Sequence, residues 1–267
     1  MRDAFRATMR RRLDPDQRLG LRLTLGFVGV FVFVVPFLLL LLLVEDRWAP
    51  LRHLDHGAAA DLNNAVYGHP AVIDALKAVS LVFGPTTFRI IGVALTIFLL
   101  VRRRVRLALF TAVAILGGSL LDGAAKLLSG RHRPVLAHPV TTAPGLSFPS
   151  GHALGSLVGV VVVILVFLPV MSRTWRRVSW VAGAVVVVAV GFSRIALGVH
   201  WVSDVLGGWL LAAAWLFVTT AAFATWRRQT GRRVQLSHGL EPEAAKDLSV
   251  DVHDIANVGR SSRGSAG

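Results

Sequence analysis

From Leu23 to Val44 the chain carries no charged residue and little besides Leu, Val and Phe. A helix needs about 20 such residues to cross the hydrocarbon core of a bilayer. Five more apolar runs follow: from Gly84-Pro85 to Val101, Leu107 to Leu121, Ala153 to Val170, Val178 to Phe192, and Val205 to Thr225. The two shorter ones must extend into their flanks to span. Backbone groups in a bilayer find no water and must satisfy one another, which helices achieve. The pattern therefore predicts an all-α protein, a bundle of six transmembrane helices over residues 23–226. Hydrophobic residues make up 54% and charged residues 16%, with a mean hydropathy of +0.62. A soluble domain averages roughly 25% charge and could not hide this much apolar surface. Soluble enzymes, coiled coils and disordered chains are excluded. The first run ends in Leu and Val rather than the small residues of a cleavage site, so it reads as a retained helix.

The net charge is +14, from 29 Lys and Arg against 15 Asp and Glu. A basic chain invites a nucleic-acid reading, but the placement of the charge argues against it. Eighteen Arg fall into four groups: residues 2–22, Arg102 to Arg106, Arg173 to Arg177, and Arg227 to Arg233. The groups sit at alternate ends of successive runs. Excess Lys and Arg mark the cytoplasmic side, so both termini are expected there, in a cell-membrane protein of several passes. The charge is spent on topology and lipid headgroups, with no nucleic-acid partner.

The loop from Glu45 to Phe83 then falls on the outer side. Leu51, Leu54, Ala58, Leu62, Ala65 and Val66 recur at helical spacing, with Asp55, Asp61 and Asn63-Asn64 between them. An amphipathic helix on the outer surface is expected, then a short helix from Ala71 to Phe83. Residues 1–22 read as a cytoplasmic segment. Residues 227–267 read as a cytoplasmic tail, disordered because it lacks an apolar period. Cysteine is absent, which excludes disulfides, thiolate metal sites and a cysteine nucleophile.

The remaining polar residues collect at the outer ends of the runs. Lys126, Arg131, His132 and Arg133 follow the third, Ser150-Gly151-His152 opens the fourth, Ser193-Arg194 closes the fifth, and His200 and Asp204 open the sixth. Ionisable groups near membrane depth are usually functional. Lys126, Arg133 and Arg194 together suit a multiply charged anion such as phosphate. The amides at Ser150-Gly151-His152 begin a helix and favour the same ligand. His200 and Asp204 are four apart, hence neighbours on one helix face. A carboxylate beside an imidazole sets its tautomer. Two histidines, one with a carboxylate partner, beside an anion cradle suggest phosphoryl transfer through a phosphohistidine. Asp122, four before Lys126, pairs with it in the simplest reading. Ser193 reads as a packing or capping residue, His53, His56 and His69 as surface residues, and Trp48, Trp201 and Trp209 as interface anchors.

Lys126 to Arg133-Pro134 fits K-x6-RP, Pro149 to His152 fits PSGH, and Ser193-Arg194 through His200 to Asp204 fits SR-x5-H-x3-D. In these motifs, spanning residues 126–204, the chain resembles the type 2 phosphatidic acid phosphatase superfamily, which includes lipid phosphate phosphatases and vanadium haloperoxidases. The resemblance implies a metal-independent membrane hydrolase acting on a lipid phosphomonoester or diphosphate, with no cofactor. It implies that His200 is the nucleophile, Asp204 its supporting acid, and His152 the proton donor to the leaving group. Lys126, Arg133, Ser150, Gly151 and Arg194 would hold the phosphate. The expected partners are the lipid substrate and the surrounding membrane lipids. Two other readings share the pocket: a transporter of phosphorylated lipid or anion, and a vanadate-dependent peroxidase. A tethered nucleophile disfavours the first, and membrane embedding the second. Arg89, Arg131 and His132 have no assigned role.

The alternating Arg groups make a direct prediction. Single cysteines introduced into this cysteine-free chain beside Arg104 or Arg176 should resist an impermeant thiol reagent in intact cells, and those beside His152 or His200 should react. The opposite labelling pattern would invert the topology.

Overall fold

The structure is a computed structural model and describes residues 29–229 and 239–245. Eight α-helices run through it: α1 Val35–Glu45, α2 Ala49–Val66, α3 Pro70–Val82, α4 Pro85–Val101, α5 Val105–Ser129, α6 Gly151–Phe167, α7 Arg173–Ala196 and α8 Val202–Gln229. A π-helical turn, Val30–Val34, leads into α1. No strand occurs among the described residues. Five helical stretches are long and apolar enough to cross a membrane; the first of these joins α3 and α4 across the break at Phe83-Gly84. The apolar helix ending at Glu45 is shorter. The beginning of the expected first run, Leu23 to Val28, lies outside the described residues, as do residues 1–22 and most of the tail.

Local chemistry sets the helix boundaries. Pro sits in the first two positions of α1, α2, α3 and α4, where its missing N–H costs nothing. Ser150 caps α6 and Ser172 caps α7 through their hydroxyls. Gly130 ends α5 in the left-handed region, φ 57°, where a side chain would be strained.

The central helix is α6, which packs on α4, α5, α7 and α8. In its most apolar stretch 56% of residues are buried, against 28–39% in the other four. The core around it includes Leu99, Leu107, Ala114, Val158, Val162 and Val166. Outward-facing apolar residues such as Ile90, Val101, Leu120 and Val181 are at least 65% exposed, as lipid-facing positions are. Small residues bring the helices together, because apolar lipid leaves packing rather than water exclusion to drive association. Gly159 of α6 faces the Phe88 ring of α4 and Gly183 of α7 faces Val160.

Two expectations about the periphery change. In α2 the buried positions are Asp55, Ala59, Asn63 and Val66, whereas Leu54 is 53% exposed. The helix is thus turned so that Asp55 and Asn63 face the bundle, because polar partners wait there. In the tail, residues 239–245 are described and pack rather than lie free. Leu240 is fully buried in the core, and Glu241 and Glu243 pair with Arg227. Arg104 approaches Glu241 as well, so the Arg-rich ends of α4, α5 and α8 share one end of the bundle.

Gly159 offers a test of the packing. A Cβ there would overlap the Phe88 ring, so Gly159→Val should separate α4 from α6. Thermal unfolding in detergent should show a loss of about 1–3 kcal/mol; an unchanged midpoint would refute this contact.

Candidate active site

The site lies at the end of the bundle opposite the Arg-rich turns, where α5 and α7 end and α6 and α8 begin. His200 is in the turn before α8, and Asp204 is in the first turn of α8. They are therefore not stacked along one helix face, as the spacing suggests. The carboxylate folds back over the helix start instead. Its Oδ2 accepts from the Trp201 amide at 2.9 Å and from His200 Nδ1 at 3.2 Å. The cap and the imidazole contact are made by the same oxygen.

The other ring nitrogen, Nε2, is 3.1 Å from Arg133 Nη1. An arginine only donates, so Nε2 accepts and Nδ1 carries the hydrogen toward Asp204. This tautomer leaves the Nε2 lone pair facing the cations. His200 is 2% exposed. Burial lowers its pKa below 6.5, partly opposed by the hydrogen bond and charge of Asp204. Arg133 is itself held by the carbonyls of Val199, Pro144 and Gly145.

His152 is the second residue of α6. It shares a cavity wall with Arg194, its neighbour Gly151 lies against Lys126, and Arg133 meets His200, so the two histidines and three cations of the motifs lie at one end of the bundle. Arg194, in the last turn of α7, is 9% exposed, and its Nε has no hydrogen-bond partner among the described residues. Its carbonyl receives the amides of Val199 and His200, which anchors the turn bearing the imidazole. Lys126 Nζ contacts both oxygens of Asp122 at 2.6 Å, the pair the sequence suggests. A Cβ on Gly151 would lie 2.7 Å from Asp122 Oδ2 and 3.2 Å from Lys126 Nζ. Glycine is therefore what admits the lysine to the start of α6. Ser150 is wholly buried; its hydroxyl accepts from the Ala153 amide and its own amide donates to the Asp204 carbonyl. That leaves the amides of Gly151 and His152 as the helix-start donors without an intrahelical acceptor.

Sequence reasoning missed the support behind Asp204. Arg131 Nη1 donates to Asp204 Oδ1 at 2.7 Å and to Ser203 Oγ at 2.6 Å, while Nη2 donates to Asp55 Oδ2 at 2.7 Å. Asp55 also accepts from the Ser203 amide and hydroxyl. Both carboxylates are wholly buried. A signal existed: an Arg two residues before Arg133, and an Asp inside an amphipathic helix. Their partnership crosses 76 positions of sequence, which spacing cannot reveal. Trp201 is not an interface anchor. It is 6% exposed, donates to the His132 carbonyl, and lies against Arg131 and His56. Ser193 packs as expected, sharing a hydrogen bond with Ser80. Among the described residues no group of three or more His, Asp or Glu is arranged to hold a metal ion.

Residues 106–228, which contain all three motifs, match the PAP2 superfamily. The chain is 42% identical over 91 residues to phosphatidylglycerophosphatase B of Bacillus subtilis, covering 33% of this chain and 44% of that protein. It is also 42% identical over 67 residues to undecaprenyl-diphosphatase of Sulfolobus acidocaldarius, covering 25% of this chain and 29% of the relative. The aligned part thus spans less than half the length of either relative. The crystal structure of a transmembrane PAP2 type phosphatidylglycerolphosphate phosphatase from Bacillus subtilis shares the fold, with a TM-score of 0.63 and 22% identity over 76% of this chain and 99% of that one.

The buried network makes a prediction. Arg131→Leu leaves Asp55 and Asp204 buried without their cation. Removing one partner of a buried pair typically costs about 3–5 kcal/mol, so a large fall in the thermal midpoint is expected, with loss of activity. Wild-type stability in Arg131→Leu would show that the pairing is not structural.

Proposed function

We propose that the protein is an integral membrane lipid phosphatase that cleaves a phosphomonoester or diphosphate of a lipid through a phosphohistidine, without a metal ion. The observation that carries this reading is His200, with Nδ1 on Asp204 and Nε2 turned toward Arg133. The similarity to two enzymes named for lipid phosphate hydrolysis supports it. Arg133, Arg194, Lys126 and the Gly151 and His152 amides bind the phosphate oxygens, and Ser150 holds those amides in place. In the in-line step a bond forms between His200 Nε2 and phosphorus while the bond to the leaving oxygen breaks. His152 protonates that oxygen, then activates the water that releases phosphate. Asp204 stabilises the charge that His200 develops. The cations offset charge on the equatorial oxygens, the part a divalent ion plays in other phosphatases.

The same reading sets the protein in the membrane with six spans, counting the segment that leads into α1. The Arg-rich end and both termini face the cytoplasm. The site and α2 lie on the outer side. The lipid chains stay in the bilayer while the phosphate enters between the helix ends.

Three measurements test the mechanism. His200→Ala should abolish hydrolysis of both a lipid phosphate and an activated aryl phosphate. His152→Ala should lose about 10²–10⁴-fold on the lipid yet still form phosphoenzyme from the aryl ester, whose leaving group needs no proton. Acid-labile phosphate trapped on His200→Ala, but not on His152→Ala, would reverse the roles. The unprotonated form of His200 is the nucleophile and burial lowers its pKa, so the acid limb of kcat/KM from this group should fall below pH 6.5. Asp204→Asn should move that limb lower still while cutting the rate. Activity should survive excess chelator and be inhibited by vanadate; loss in chelator restored by magnesium would defeat the metal-free reading.

A further inference from the structure

A cavity of about 200 Å³ opens beside His152, whose wall includes Lys77, Ser80, Leu81, Thr141 and Arg194. His200 is not in its wall. In-line transfer puts the attacking nitrogen and the leaving oxygen on opposite sides of phosphorus. With His200 attacking and His152 protonating, the leaving group departs into this cavity. Its apolar chains have an exit past Leu81, which is 75% exposed.

The cavity carries one cation that the phosphate-binding set does not use. Lys77 lies on α3, a helix without any motif residue, and forms no ion pair among the described residues. It shares the cavity wall with His152 and Arg194 but is itself exposed. Its position relative to the site is nonetheless set. Ser80, one turn along α3, is 4% exposed and shares a 2.7 Å hydrogen bond with Ser193, the neighbour of Arg194. The ordinary role of an exposed lysine is solvation, but this one shares a cavity with the proposed proton donor.

A neutral leaving group, such as the diacylglycerol released from phosphatidate, gives that ammonium nothing to bind. A leaving group bearing its own phosphate does. We propose that this cavity is the leaving-group subsite and that Lys77 makes the enzyme prefer lipids whose leaving group carries a second phosphate. The inference rests on the phosphatase reading and narrows its substrate class. The second phosphate arrives either as a diester beyond a glycerol or as the inner phosphate of a diphosphate. The recognition chemistry is the same for both, an ammonium donating to phosphate oxygens. In either case the bond to the terminal phosphorus breaks, its electron pair stays with the leaving oxygen, and the product keeps the phosphate at Lys77.

The test compares the full-length wild type, Lys77→Gln and Lys77→Arg on three lipids in mixed micelles at constant surface fraction: phosphatidate, phosphatidylglycerol phosphate and a polyprenyl diphosphate. The wild type should favour at least one two-phosphate lipid over phosphatidate. Lys77→Gln should shrink that preference about tenfold, mainly through KM, and Lys77→Arg should retain most of it. Whichever of the two lipids loses its advantage identifies the phosphate spacing. A preference unchanged by Lys77→Gln, or an equal fall on all three lipids, would overturn the inference and leave the phosphatase reading intact. If the wild type turned over none of the three, the phosphatase reading would fall and this inference with it.

Discussion

Asp204 is wholly buried, and each of its oxygens has a partner. One carboxylate oxygen takes the Arg131 guanidinium, the other takes the Trp201 amide and His200 Nδ1, and the carbonyl takes the Ser150 amide. A single residue thereby joins the start of α8, the turn bearing His200, the loop after α5 and the cap of α6. A buried carboxylate is costly unless paired and hydrogen-bonded, so these four segments are held together by the same requirement. His200, the loop bearing Arg133 and the amides at the start of α6 are all placed by it.

Arg131 extends that constraint outward. It bridges Asp204 to Asp55, and Asp55 in turn holds the amide and hydroxyl of Ser203. Helix α2 is thus more than a cover. It contributes a buried charge to the structure behind the imidazole, and Asp55 turns inward for that reason. Asn63, two turns along, donates to the Ala196 carbonyl at the end of α7, which fastens the same helix to the base of the site. Such a network fixes the His200 ring from its Nδ1 side.

The bundle separates its charges by end. The Arg-rich turns gather at one end, where Arg227 is almost fully buried against Glu241 and Glu243, while Lys126, Arg133 and Arg194 gather at the other. Between them the outward surface is apolar and α6 threads the centre. The cations at that other end lie outside the alternating Arg groups. Their position makes Lys126, Arg133 and Arg194 stand out in the sequence.

Much was legible in the sequence. Apolar run length dictated helices, because an unpaired backbone is intolerable in lipid. The three motifs named the two histidines, their carboxylate and the cations, and the pairing of Asp122 with Lys126 followed from i,i+4 spacing. These are local properties, carried by periodicity and near neighbours along the chain. What only the tertiary structure decided depends on residues far apart in sequence: Arg131 between Asp55 and Asp204, the inward turn of α2, the burial of Trp201, the docking of Leu240 and the place of Lys77 beside His152. Periodicity could assign α2 an apolar side but could not say that a guanidinium would draw Asp55 into the buried stripe beside Ala59, Asn63 and Val66. The energy of burying a charge depends on which partner arrives across space, and that is settled only when the helices pack.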